Sequence, residues 1–82
     1  MVKRDGAETR RQRIAKIGQM VQSSLHASKN GEIPLTKFIA LVMYETGLTK
    51  DRILEYLEVP EKIGQIEIDI VNDIIRKPIA SV

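Results

Sequence analysis

Residues 38–57 read FIALVMYETGLTKDRILEYL. An apolar helical run stops at Glu45-Thr46-Gly47, Leu48 follows, and Thr49 opens a second short run. In that second run Ile53 and Leu57 stand four residues apart, on one face of a helix. Gly47 suits the position just past a helix end, where the backbone turns left-handed at little cost only for glycine. Thr49 suits an N-cap, because its hydroxyl can accept an orphan N–H of the next helix. Two helices joined by so few residues must cross steeply.

Upstream, Ile14, Ile17, Val21 and Leu25 recur at helical spacing and form one apolar stripe. Arg13 and Lys16 fall off that stripe and face solvent. A capping box of Asp5 with Glu8 places the start of this first helix near Asp5. Thr9 is the poorer cap, since Arg10 and Arg11 would then meet the positive end of the helix dipole. Lys29-Asn30-Gly31 is a turn signal, so the helix stops near Ser28. Glu32-Ile33-Pro34-Leu35 is a short extended segment, because Pro34 steers Ile33 away from the helical region. Pro34 also lacks a donor, which suits an edge strand. Thr36 is the expected cap of the second helix, with Phe38, Ile39, Leu41 and Val42 inward and Met43 at the margin of that face.

Downstream, the third helix is expected from about Lys50 to Leu57 or Glu58, ended by Val59-Pro60. Ile66, Ile68 and Ile70 alternate with Gln65, Glu67 and Asp69, the pattern of a half-buried strand. Val71-Asn72-Asp73 supplies turn chemistry, and Ile74 to Ile79 returns as a second strand. The competing reading is a helix from Pro60 with Ile63, Ile66, Ile70 and Ile74 at helical spacing. Gly64 and the clean alternation favour strands.

Eighty-two residues make one small domain. Residues 1–6 form a basic, flexible arm, 7–79 the folded domain and 80–82 a tail. The absence of cysteine excludes disulfides, thiolate metal sites and a cysteine nucleophile. His26 is the sole histidine and has no second imidazole for a metal site. No apolar run approaches the ~20 residues needed to span a bilayer, and no apolar block follows the basic N-terminus as in a signal peptide. The expectation is a cytoplasmic protein with no membrane partner. Twelve isoleucines, many charges and no cysteine are compatible with a thermophilic source. The net charge of +2 hides an asymmetry: residues 1–16 carry net +4 and residues 17–82 net −2. Such a basic end attracts nucleic acid or an acidic partner surface.

The resulting order is helix, short strand, helix, turn, helix, strand, turn, strand. With Gly31-Glu32-Ile33-Pro34-Leu35, Thr46-Gly47-Leu48-Thr49, Ile53 with Leu57, and Ile63-Gly64-Gln65-Ile66-Glu67-Ile68, it resembles the winged helix-turn-helix family. The resemblance covers Ala7 to Ile79, and small archaeal or archaeal-virus regulators look similar in style. It implies a mainly α fold with a small β-hairpin (α+β), of three helices and a two- to three-stranded wing sheet. Two departures stand out. The family usually has a small residue four before the turn glycine, where this chain has Met43. Its third helix often runs further than Val59-Pro60 would allow.

The family resemblance also implies double-stranded DNA as partner, with the third helix in the major groove and wing and helix starts on phosphates. On these residues, Asp51 and Glu55 hold the centre of the third helix's outward face, flanked by Arg52 and Glu58. Arg52 can read guanine, and Glu55 or Asp51 can accept from cytosine N4. Phosphate candidates are Arg10, Arg11, Arg13 and Lys16 in the first helix, and Lys37 near the second helix start. Thr49, Lys50 and Arg52 add to them at the third helix, with Arg76 and Lys77 on the return strand and Tyr56 as a candidate base contact. The central carboxylates oppose phosphate attraction, and Glu67, Asp69 and Asp73 make the wing acidic. The alternative partner is therefore a protein, met through the third helix or wing within a transcription or replication assembly. Monomer and homodimer both remain open, with Met20 or Leu25 as interface candidates. No Gly-rich phosphate loop, nucleophile arrangement or metal-ligand cluster is present, so neither an enzyme nor a cofactor is expected.

Overall fold

Three helices and three short strands carry the chain in the order α1 (Gly6–Ala27), β1 (Glu32–Pro34), α2 (Leu35–Thr46), α3 (Lys50–Lys62), β2 (Glu67–Asp69) and β3 (Ile74–Arg76). This is a computed structural model, and it describes residues 6–78. The strands form one antiparallel sheet in the order β1-β3-β2. The arrangement is α+β and consistent with a winged-helix layout. The expected Asp5 cap, most of the N-terminal arm, Ile79 and the 80–82 tail lie outside the described residues. Gly6, placed in the arm by the sequence reading, is the first residue of α1.

One core joins all the elements. Ile17, Val21 and Leu25 from α1 meet Leu35, Phe38, Ile39 and Val42 from α2, and Ile53, Tyr56 and Leu57 from α3. The sheet closes this core with a single row of isoleucines, Ile33, Ile75 and Ile68, in cross-strand register. Ile75 of the middle strand is wholly buried. Leu25, one of the two candidates for a dimer contact, is likewise fully buried, whereas Met20 is only partly buried against the core.

The α2–α3 turn follows the local chemistry. Gly47 is left-handed at φ 74°, and its N–H donates to Met43 O at 2.8 Å. Thr46 adds a bond on each side: its hydroxyl donates to Val42 O (2.7 Å) and accepts from Leu48 N (3.2 Å). Thr49 caps α3 by accepting from Arg52 N at 3.3 Å. Leu41 and Met43 are 46% and 41% exposed, so the inward face of α2 is narrower than expected. Met43 does not wedge the two helices apart; it stands at the rim of their junction, beside Ile39 and Lys50.

Two helix ends differ from expectation. Pro60 lies inside α3, which runs on to Lys62. An interior proline costs on the order of 3 kcal/mol, but here the ring is buried in the core and the end beyond it is fully bonded. Gln65 N donates to Pro60 O (2.8 Å) and Gly64 N to Glu61 O (3.1 Å), with Gly64 at φ 83°. These crossed bonds are the Schellman closure. Gly64 therefore marks the stop of α3, and the third helix has the length that Val59-Pro60 seemed to deny it. The alternation beyond it forms the hairpin, although Ile70 leaves the pattern and is 70% exposed in the turn.

Thr36 does not cap α2. The helix begins at Leu35, with Pro34 in the N-cap position and no side-chain bond from it. The cap comes from Asp73, in the hairpin turn. Its carbonyl accepts from Leu35 N (2.9 Å), and its Oδ1 accepts from Thr36 N (3.0 Å) and from the Thr36 hydroxyl (2.7 Å). A proline cannot offer a side-chain acceptor, so the orphan donors find one from a distant part of the chain.

Candidate nucleic-acid interface

The outward face of α3 is built by the Ile53–Leu57 pairing. Both side chains are fully buried, which leaves Asp51, Arg52, Glu55 and Glu58 exposed. Glu55 is the hub. Its Oε1 lies 3.4 Å from Arg52 Nη1, and its Oε2 lies 3.6 Å from Arg10 Nη2. Arg10 belongs to α1, so the basic first helix reaches the face of the third. Arg10 stands seven residues before Ile17, close to two turns. It therefore continues the core stripe past the end of the core and meets α3 where the apolar contacts stop. All three side chains are about half exposed. As exposed ion pairs they add little stability; their effect is to orient one another and to leave the group one positive charge in excess.

A second contact joins α1 to the segment just past the end of α3. Gln22 Nε2 donates to Gln65 O at 3.3 Å. With Arg10 opposite Glu55 and Gln22 opposite Gln65, α1 and α3 run side by side in the same direction. Between the two polar contacts lies an apolar groove of ≈ 370 Å³ with Ile14, Gly18, Val59 and Ile63 on its walls.

The remaining candidates divide. Arg11, Arg13 and Lys16 are exposed on α1. Arg13 is one helical turn from Arg10 and adjoins it; Lys16 is a further turn on and rotates to another flank. Thr49 and Lys50 are exposed at the start of α3, with Lys50 lying back along α2 beside Thr36 and Met43. Lys37 is exposed on the other flank of α2, next to Pro34 and Leu41. Tyr56 is not on this surface: it is 4% exposed and packs in the core.

The hairpin holds its own charges. Arg76 on the middle strand stands in register between Glu32 and Glu67. Its Nε donates to Glu67 Oε1 at 3.0 Å, and its Nη2 lies 3.5 Å from Asp69 Oδ2. The Glu67 bond and the neighbouring carboxylates raise the guanidinium's already high pKa. Asp69 is held well ionised, chiefly by the side-chain amide and backbone N–H of Asn72, with Arg76 adding to it. Arg76 thus serves the hairpin's internal network. Lys77 lies at the opposite end of the sheet from the turn, where its N–H donates to Gly31 O. The turn itself presents Ile70 and Val71, the latter 92% exposed.

Sequence reasoning named Arg10 and Glu55 separately but not their meeting. The signal was the heptad step from Arg10 to Ile17. The Asp73–Thr36 contact had no local signal. Among the described residues no helix is long and apolar enough to cross a membrane. Comparison with family models, with curated proteins and with solved structures gave no match.

Proposed function

We propose that the chain is a small sequence-specific regulator of the winged helix-turn-helix family that binds duplex DNA, with α3 in the major groove. The observation that carries this reading is the Arg10–Glu55 contact. It puts the basic first helix beside the outward face of α3 and offsets the carboxylate that would repel phosphate. Arg10, Arg13, Lys50 and Arg52 are the cations best placed for the duplex, with Thr49 at the helix start. A cytoplasmic regulator of the archaeal or archaeal-virus type is the setting this reading suggests.

Each phosphate contact that releases a counterion lowers log K by about 0.9 per decade of salt. Three such contacts give a slope near −3, so affinity for a mixed-sequence duplex should fall steeply between 50 and 200 mM salt by roughly a factor of 50. Absence of binding at the lowest salt would sink the proposal. The second reading is then a protein-interaction module. It is favoured by one observation, the exposed apolar Ile70–Val71 turn on an acidic hairpin, and it expects a partner whose capture is lost on Val71→Lys but not on Arg13→Ala.

A further inference from the structure

The acidic centre of α3 looks like an obstacle to DNA, yet it restricts which base edges the helix can meet. An ionised carboxylate only accepts hydrogen bonds and a guanidinium only donates them. Glu55 and Arg52 are therefore one acceptor and one donor group, already held together at 3.4 Å on adjacent turns of the helix. A helix about 10–12 Å across fills a major groove about 12 Å wide, so the middle of its outward face meets base edges. There the donors are cytosine N4 and adenine N6, and the acceptors are guanine O6 and N7, adenine N7 and thymine O4.

A C·G pair sets one donor, cytosine N4, beside the two guanine acceptors. That is the complement of a carboxylate beside a guanidinium. An A·T pair presents its single donor between two acceptors, and thymine O4 would face the carboxylate. Arg10 approaches Glu55 from the side, on a separate helix. It holds the second carboxylate oxygen and lies toward the wall of the groove, where phosphates run.

We propose that the Arg52–Glu55 pair selects a C·G base pair, with Glu55 accepting from cytosine N4 and Arg52 donating to guanine, while Arg10 contacts the adjoining phosphate. This rests on the DNA-binding reading above. It assigns opposite kinds of role to two arginines that bind the same carboxylate.

The test is selection of the full chain on a randomised duplex library, followed by affinity measurements on the enriched duplex. One C·G position should be enriched. Replacing that pair singly by G·C, A·T or T·A should weaken binding by about 5- to 150-fold, the range typical of one mismatched pair. Glu55→Gln should move the preference at that position toward adenine, which a carboxamide reads through N6 and N7. Arg10→Ala should weaken all duplexes alike and reduce the salt slope by about 1. All three side chains are about half exposed, and circular dichroism checks that each variant is folded. Enrichment without C·G, an unchanged preference in Glu55→Gln, or a changed preference in Arg10→Ala would overturn the inference. Salt-dependent binding with no base preference would overturn it, leaving duplex binding standing but not its sequence specificity. No binding to any duplex would overturn both.

Discussion

Gly18 sits in the middle of α1, and a Cβ built there meets nothing within 4 Å. A helix-interior glycine costs about 0.5–1 kcal/mol relative to alanine, and nothing in this chain's own packing requires it. Gly18→Ala should therefore stabilise the fold by up to ~1 kcal/mol, which in a domain of this size is a rise in Tm of about 4–8 °C. Thermal unfolding by circular dichroism reads this directly. An unchanged or lower Tm would mean that the groove wall at Gly18 is not open in solution. Gly47, by contrast, is left-handed at φ 74°, and its identity is fixed by the backbone alone.

The elements show where local chemistry sufficed and where it failed. Gly47, Thr49, Ile53 and Leu57 act within one turn of their own positions, and the α2–α3 pair was legible from them. Pro60 does not end α3, because its burial, which offsets the lost hydrogen bond, depends on packing between helices that no local pattern specifies. Gly64 is the stop of a helix and not a mark against one; a glycine signals a left-handed position without saying what precedes it. The hairpin was legible from its alternation, but Ile70 broke the alternation because Asp69 and Asn72 close the turn early. That closure is testable. Asp69 accepts from both Asn72 donors and interacts with Arg76, so its carboxyl titrates below its ordinary value of 3.8. A group depressed on folding contributes stability above its unfolded pKa, and that contribution is lost as pH falls through the lower folded value. An NMR titration should place the Asp69 midpoint below 3.8, and Asn72→Ala should move it upward. A midpoint that ignores the substitution would mean that Asn72 does not hold the carboxylate.

Across the whole molecule, the charge asymmetry of the sequence becomes a geometric statement. The basic N-terminal third is not an appendage, since α1 is a 22-residue helix whose Arg10 touches α3. Half of the candidate site was legible as residue types. Its assembly was not, because it depends on α1 running in the same direction as α3, which no local pattern specifies. On the wing, Arg76 has carboxylates in register on both neighbouring strands, while Lys77 stands exposed beyond them.

The Asp73 cap has a further consequence for how the chain opens. Two amides at the start of α2, Leu35 and Thr36, have, among the described residues, their acceptors on a residue 37 positions beyond Thr36. Their protection from solvent exchange is therefore governed by the hairpin and not by α2. Hydrogen exchange should show Leu35 and Thr36 opening together with the amides of β2 and β3, faster than Val42 in the interior of the same helix. Asp73→Ala should accelerate Leu35 and Thr36 exchange while leaving Val42 nearly unchanged. If Leu35 and Thr36 instead follow Val42, the start of α2 is held by its own helix. In the coupled case the β2–β3 hairpin and the first turn of α2 form one cooperative unit, and losing the hairpin would fray a helix that precedes it in sequence.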